Sequence, residues 1–315
     1  MLRTPDSRFD SLPGWPYPPH YLEGLPELYG ARLHYVDIPA QGEEQGSDPR
    51  LHQTAQQKVE TGPMVALCLH GNPSWGYIYR KMAPVFAKAG LRVIIPDMAG
   101  FGRSDKPELD SDHSFDYHRN YLLALIKHLD LREVMLVVQD WGGIFGLTLP
   151  MAMPERFSHL LVMNTTLGLG TDLSEGFIQW RNYCNKVPDL DPGPLLKRGK
   201  PDMTGEEAAA YSAPFPDVAY KAALRAFPNL VPASPEAPGA DISRLAAEFW
   251  RDRWQGKSFM AIGTEDPVLG PQVMQELRGM IRNCPEPLMV KGGHFLQEWG
   301  EPIALACLDR FGIKH

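Results

Sequence analysis

Cysteine is scarce in this chain, with four residues among 315. Cys68, Cys184, Cys284 and Cys307 are scattered, and no C-x-x-C occurs. They read as free buried thiols in a reducing cytoplasm rather than as a disulfide framework. There is no H-E-x-x-H and no paired Cys/His cluster, so neither a metal nor a cofactor is expected. No run of five or more Lys or Arg is present, and the formal net charge is −7. Nucleic acid and an anionic membrane are therefore excluded as expected partners. No apolar run approaches the ~18–20 residues of a membrane span. Residues 1–20 interleave Arg3, Asp6, Arg8 and Asp10 with prolines, and lack the apolar core of about 7–15 residues of a secretory signal. A cytoplasmic monomer is expected. The serine pattern G-x-S-x-G is also missing, which excludes an ordinary serine esterase.

What is present is a balanced globular composition, 43% apolar and 22% charged. The length fits about two domains, or one large α/β domain carrying an insertion. Short strand-like runs fall at 33–38, 64–69, 91–96, 134–138, 159–164, 258–262 and 287–290. Most are wholly apolar, as parallel strands buried on both faces must be. Helical patterns lie between them, for example at 79–89, 116–129 and 271–280. This alternation predicts a doubly wound sheet with helices on both faces. Residues 43–62 are polar and aperiodic and read as a surface loop. Between about 165 and 256 the alternation stops, and helical stretches are punctuated by prolines. That stretch is expected to be a helical cap domain over the carboxyl edge of the sheet, where open α/β sheets bind ligands. The main domain would then be 1–164 plus 257–315.

The sharpest local signal is V-V-Q-D-W-G-G at 137–143. An apolar run climbs to Asp140, and a helical pattern follows at once. This is the layout of a nucleophile elbow, with a carboxylate where serine hydrolases place serine. In α/β-hydrolases the partners follow in the order nucleophile, acid, histidine. Asp266 follows the run at 258–262, and His294 follows the run at 287–290. Alone, Asp266 before Pro267 could be a turn or cap residue, and Glu265 is a rival acid. His294 could be one surface histidine among ten, and Asp140 a strand-end cap. The order of the three on successive strand ends makes the combination specific. His70 sits where an oxyanion loop belongs and is read as structural, and Asp97 as turn-fixing.

The runs H-G-N-P-S-W-G-Y-I-Y-R, P-D-M-A-G-F-G-R-S-D-K-P, V-V-Q-D-W-G-G, G-T-E-D-P-V-L-G and K-G-G-H-F-L-Q-E resemble the haloalkane dehalogenases over nearly the whole chain. The resemblance is to the subfamily whose acid follows the strand after the cap. In the other arrangement the acid follows the strand before the cap, where this chain has Asn164. It implies an α/β-hydrolase fold, a mostly parallel eight-stranded sheet with an inserted helical cap. It implies Asp140, His294 and Asp266 as the triad, Trp141 and Trp180 as halide-binding residues, and backbone N–H groups of Asn72 and Trp141 as the oxyanion hole. That subfamily can carry Glu where this chain has Asn72, so a halide contact by the Asn72 side chain stays open. Taken alone, Trp180 could equally be a packing residue of a cap helix.

The chemistry expected is hydrolysis of a haloalkane to alcohol, halide and a proton. A carboxylate is ionised at neutral pH and needs no base to displace halide from saturated carbon. Histidine would then activate water against the ester. Indole N–H is a donor with no lone pair to repel the departing anion. Bulky residues such as Phe177, Phe215, Phe227 and Trp250 suggest a small pocket. The nearest rival is an epoxide hydrolase, which would need proton-donating tyrosines, for which Tyr183, Tyr211 and Tyr220 are candidates. A dehalogenase of the fluoroacetate type would want charged groups near the nucleophile, which Trp141 does not supply. A non-catalytic small-ligand receptor on the same scaffold is the alternative of another class.

Overall fold

A computed structural model describes residues 1–41 and 62–315. The loop expected at 43–62 lies outside the described residues, save Gly62. Eight strands form one sheet in the order β1-β2-β4-β3-β5-β6-β7-β8. They are β1 (His20–Leu22), β2 (Leu33–Ile38), β3 (Val65–Leu69), β4 (Arg92–Pro96), β5 (Val134–Gln139), β6 (Phe157–Met163), β7 (Lys257–Gly263) and β8 (Leu288–Val290). β1 and β2 are antiparallel, and every pair from β4 to β8 is parallel. β3 and β5 are buried at every residue. Side chains alternate across a strand, so complete burial requires cover on both faces. β1 was not legible in the sequence, because three residues on a sheet edge carry no measurable period.

The helices are α1 (Ala83–Lys88), α2 (Phe115–His128), α3 (Trp141–Gly146), α4 (Glu175–Lys186), α5 (Pro192–Gly199), α6 (Gly205–Ser212), α7 (Ala222–Leu230), α8 (Ala240–Glu248), α9 (Pro271–Met280) and α10 (Gly300–Phe311). The helix expected over 79–89 is two pieces, a 3-10 turn at Gly76–Lys81 and then α1. Pro84 explains the break: it has no N–H to donate and fits only the first turn of a new helix. α2 and α4 start on serine caps, Ser114 and Ser174, each accepting from the backbone three residues on. α6 opens on a Thr204/Glu207 capping box.

Helices α4 to α8, followed by one π-helical turn at Phe249–Arg253, all lie between β6 and β7. A buried ion network fastens this insert to the rest. Arg80 donates to both Glu298 oxygens, at 2.6 and 2.8 Å, and to Glu207 of α6 at 2.8 Å. Tyr211 of α6 donates to the same Glu298, and Lys81 adds a contact at 2.9 Å. Trp250, expected in the pocket, instead packs on Trp254 and donates to Leu147 O at 2.7 Å.

The strand order reverses between β3 and β5. These two pair in parallel, Leu69 beside Val138, yet the chain leaves β3 for β4 on one side and β5 for β6 on the other. Loops on either side of such a switch point diverge and leave a crevice at the carboxyl ends. His70-Gly71-Asn72 and Asp140 are the residues at that crevice.

Candidate active site

Asp140 ends β5 in a conformation L-residues avoid, φ 51° and ψ −128°. Such strain persists only where neighbours over-determine it. Here Asp140 N donates to Asn164 O at 3.0 Å, and its carbonyl takes N–H groups from Gly143 and Ile144 and the Thr165 hydroxyl at 2.6 Å. The chain after it turns directly beneath β3. A Cβ on Gly142 would sit 2.0 Å from Leu69 O, so only glycine lets α3 start there. A Cβ on Gly71 would lie 2.2 Å from Asp140 Oδ1. The Asp140 carboxylate is thereby pressed against the loop after β3, and Asn72 N donates to Oδ1 at 2.7 Å.

His294 arrives from the loop after β8. Its Nε2 lies 3.4 Å from Asp140 Oδ2, and its Nδ1 lies 2.8 Å from Asp266 Oδ2. Asp266 is buried, whereas Glu265 is exposed, so the rival acid does not reach the ring. The cap reading of Asp266 also holds: Oδ1 accepts from Val268 N at 2.8 Å and Leu269 N at 3.1 Å. Burial pushes the Asp266 carboxyl up, but His294 and the Asn164 and Val268 donors outweigh it and hold it at about 2. Burial pushes the His294 imidazole down, but Asp266 and Asp140 outweigh it and raise it to about 10. Removing the charge on Asp140 removes one of those two supports. The arrangement thus offers a carboxylate beside a histidine whose proton affinity falls when that carboxylate is esterified.

Two participants were not anticipated. Asn164 Nδ2 donates to Asp266 Oδ2 at 2.7 Å, while its Oδ1 takes Gly263 N at 2.7 Å. Gln139, wholly buried, donates through Nε2 to His294 O at 3.0 Å. A polar residue ending an apolar buried strand was the available signal, since it must find partners inside. His70 behaves as read: it accepts Met98 N at 3.0 Å and is held below its usual range by burial. Asp97 fixes its turn by accepting from Gly76 N and Arg103 N, each at 2.8 Å.

Trp141 heads α3, 3% exposed, with Phe145 and Phe227 rings at 5.0 and 4.9 Å. Trp180 lies on α4, half-buried, its ring 6.0 Å from Tyr183. A Cβ on Gly176, one turn earlier, would lie 2.3 Å from Pro267 O, and Cys184, one turn later, feels the Asp140 charge. Positions four apart share a helix face, so Trp180 stands on the face turned toward the triad. Among the described residues the ring neighbours of Trp141 are Phe145 and Phe227, and that of Trp180 is Tyr183. Trp75, Trp250 and Trp254 spend their N–H groups on Ala210 O, Leu147 O and Ser258 Oγ. Among the described residues no protein acceptor takes the N–H of Trp141 or Trp180.

The chain matches a family model for the alpha/beta hydrolase fold over residues 67–301. It is 38% identical to a haloalkane dehalogenase of Psychrobacter cryohalolentis, covering 96% of this chain and 95% of that protein. The chain belongs to the haloalkane dehalogenases. A dehalogenase of Mycolicibacterium paratuberculosis is 37% identical over 95% of this chain and 93% of its own. Among solved structures, the tetrameric haloalkane dehalogenase DpaA from Paraglaciecola agarilytica NO2 superposes with a TM-score of 0.89. It is 42% identical, covering 98% of this chain and 97% of that one. This dehalogenase is thus a hydrolase acting on carbon–halide bonds. No described helix is long and apolar enough to cross a membrane. All four cysteines are free.

Proposed function

We propose that Asp140, His294 and Asp266 carry the hydrolysis of haloalkanes in two steps. An Asp140 oxygen bonds to the halogenated carbon as the carbon–halogen bond breaks, and halide leaves with the electron pair. His294 Nε2 then takes a proton from water, and the hydroxide adds to the Asp140 carbonyl carbon. The alcohol departs with one proton, Asp140 returns as carboxylate, and the other proton goes to solvent. Asp266 orients the imidazole and stabilises its charged form. The Asn72 and Trp141 backbone N–H groups receive the oxyanion. The observation that carries this reading is the chain Asp140–His294–Asp266, at 3.4 and 2.8 Å, on a strained strand-end turn.

The N–H groups of Trp141, next to Asp140 in the chain, and of Trp180 are available as halide donors, since among the described residues neither meets a protein acceptor, a property they share with Trp15 and Trp299. The Asn72 side chain joins them as a candidate: both its polar atoms are buried without a partner, in a residue 4% exposed. For an epoxide hydrolase, Tyr211 is already committed to Glu298 and Arg80, and Tyr183 is exposed. Residues 165–256 form the cap domain in this reading, and 1–164 with 257–315 the main domain. One chain supplies the whole triad, so catalysis requires no residue from a second chain. The Paraglaciecola relative is a tetramer, and sedimentation equilibrium of this chain measures which assembly it adopts.

The deciding experiment uses His294→Gln. Asp140 still attacks, but the ester is not cleaved. Mixing with 1-bromobutane should release one equivalent of bromide in a burst and add one butyl group to the Asp140 peptide by mass. A folded variant with no burst, or with the adduct elsewhere, overturns the mechanism. Opening of styrene oxide by the wild type without bromide release from 1-bromobutane would favour the epoxide reading instead.

A further inference from the structure

Gln139 stands one residue before the nucleophile, wholly buried at the end of β5. Its amide orientation is fixed by its neighbours. The His294 carbonyl, 3.0 Å from Gln139 Nε2, can only accept, so the atom facing it is the NH2 group. On the other side Gln297 Nε2 donates to Gln139 Oε1 at 3.2 Å. The NH2 group has a second hydrogen, and the remaining partner within reach is His294 Nε2 at 3.1 Å.

That contact distinguishes the two states of the ring. A primary amide NH2 donates and cannot accept. It forms a hydrogen bond with His294 only when Nε2 carries its lone pair and the proton sits on Nδ1, facing Asp266. Opposite an imidazolium, donor would meet donor. We propose that Gln139 is a positioning residue that selects the neutral, Nδ1-protonated imidazole of His294 and so prepares it for the ester-hydrolysis step. This rests on the reading of Asp140 and His294 given above.

The logic is one of opposed influences. Among the described residues the charges that act on the ring are Asp266, after β7, and Asp140, at the elbow, and both favour imidazolium. Cys184 of α4 feels Asp140, but burial keeps its thiol protonated, at about 12. While Asp140 is charged, the free enzyme tolerates a protonated ring. Alkylation neutralises Asp140. Asp266 then acts alone, and the Gln139 N–H tips the ring to its neutral form. The water then competes with that N–H for the Nε2 lone pair. Once the proton has moved, the same N–H opposes it and favours its transfer to the leaving alkoxide.

The test is Gln139→Met, which keeps volume and removes the donor. Hydrolysis of the butyl ester is followed in single turnovers with 1-bromobutane across pH 5.5–9.5. With the donor gone, protonated His294 is less disfavoured, so the acid limb should move up by about one pH unit. Hydrolysis should slow about tenfold below the limb and recover above it. The bromide burst should be unaffected. Gln297→Leu, which leaves the Gln139 amide without its anchor, should shift the limb the same way by less, and serves alone if Gln139→Met does not fold. An unchanged acid limb in the folded variants overturns the proposal, as does equal loss of burst and hydrolysis at every pH. If the wild type itself forms no ester, the reading beneath it has failed rather than the role of Gln139.

Discussion

At the strand ends Asp140, Asp266 and His294 are each held by several hydrogen bonds, whereas on the helical insert Trp180 is held by ring packing and one helix face. The difference follows from what each half must do. An in-line displacement and a proton transfer need atoms fixed within tenths of an ångström, and strand-end turns backed by a buried sheet supply that. Holding a leaving halide needs donors without counter-charge, and in the proposed reading the Trp141 and Trp180 indoles supply them.

Four experiments strain that contrast, the first most severely. Asp140→Ala should abolish both the halide burst and the alkyl adduct while the fold survives, because no other carboxylate lies on the elbow. Residual bromide release on a rapid time scale would place the nucleophile elsewhere. Next comes the joint between the halves. Glu298→Gln removes one of the two carboxylates on Arg80 and leaves Glu207, so the loss should stay below the ~3–5 kcal/mol of a fully orphaned buried charge. Denaturant titration should show that loss, and bromide affinity should suffer more than ester hydrolysis, since the hold of Glu298 on Tyr211 of α6 is weakened while the hydrogen bonds of Asp140, His294 and Asp266 are untouched. Equal losses would mean the two halves are one unit.

The third concerns the loop after β4, which carries Asp97. Burial pushes the Asp97 carboxyl up, but His34, 2.7 Å away, and backbone donors hold it at about 2, below the ~3.9 of an unfolded chain. A depressed carboxyl stabilises above the unfolded value and loses that contribution as pH falls through about 2. Asp97→Asn should therefore cost about 2–3 kcal/mol at pH 7, with the gap to wild type closing between pH 4 and pH 2. A gap independent of pH would assign the loss to packing. The smallest effect is Trp180→Phe. One hydrogen bond to a charged group is worth about 1.5–3 kcal/mol, so bromide affinity and carbon–halogen cleavage should fall roughly 10- to 150-fold. Unchanged quenching of tryptophan fluorescence by bromide, with reduced stability, would leave Trp180 a packing residue.

The same contrast explains what could be read in advance. The strands before Asp140, Asp266 and His294 are largely apolar runs followed by loops that carry a carboxylate or a histidine, and a nucleophile, an acid and a histidine are expected to follow in chain order. Those features are local and survive in one dimension. Asn164 and Gln139 are equally close to the chemistry, yet as isolated residues they are ordinary amides. Only the approach of loops 99 and 155 residues away gives them partners. β1 was missed for want of length, and the helix at 79–89 was misjudged because Pro84 can either break a helix or begin one.

The order of chemistry-bearing residues and the carboxylate in place of serine were determined by sequence alone, because motif spacing is a property of neighbouring residues. The tertiary structure decided which acid faces the histidine, which indole N–H groups stay unspent and which way the Gln139 amide points. Each of those depends on donors and acceptors brought together from distant strands inside a buried site, where an unmatched polar group is costly enough to dictate its partner.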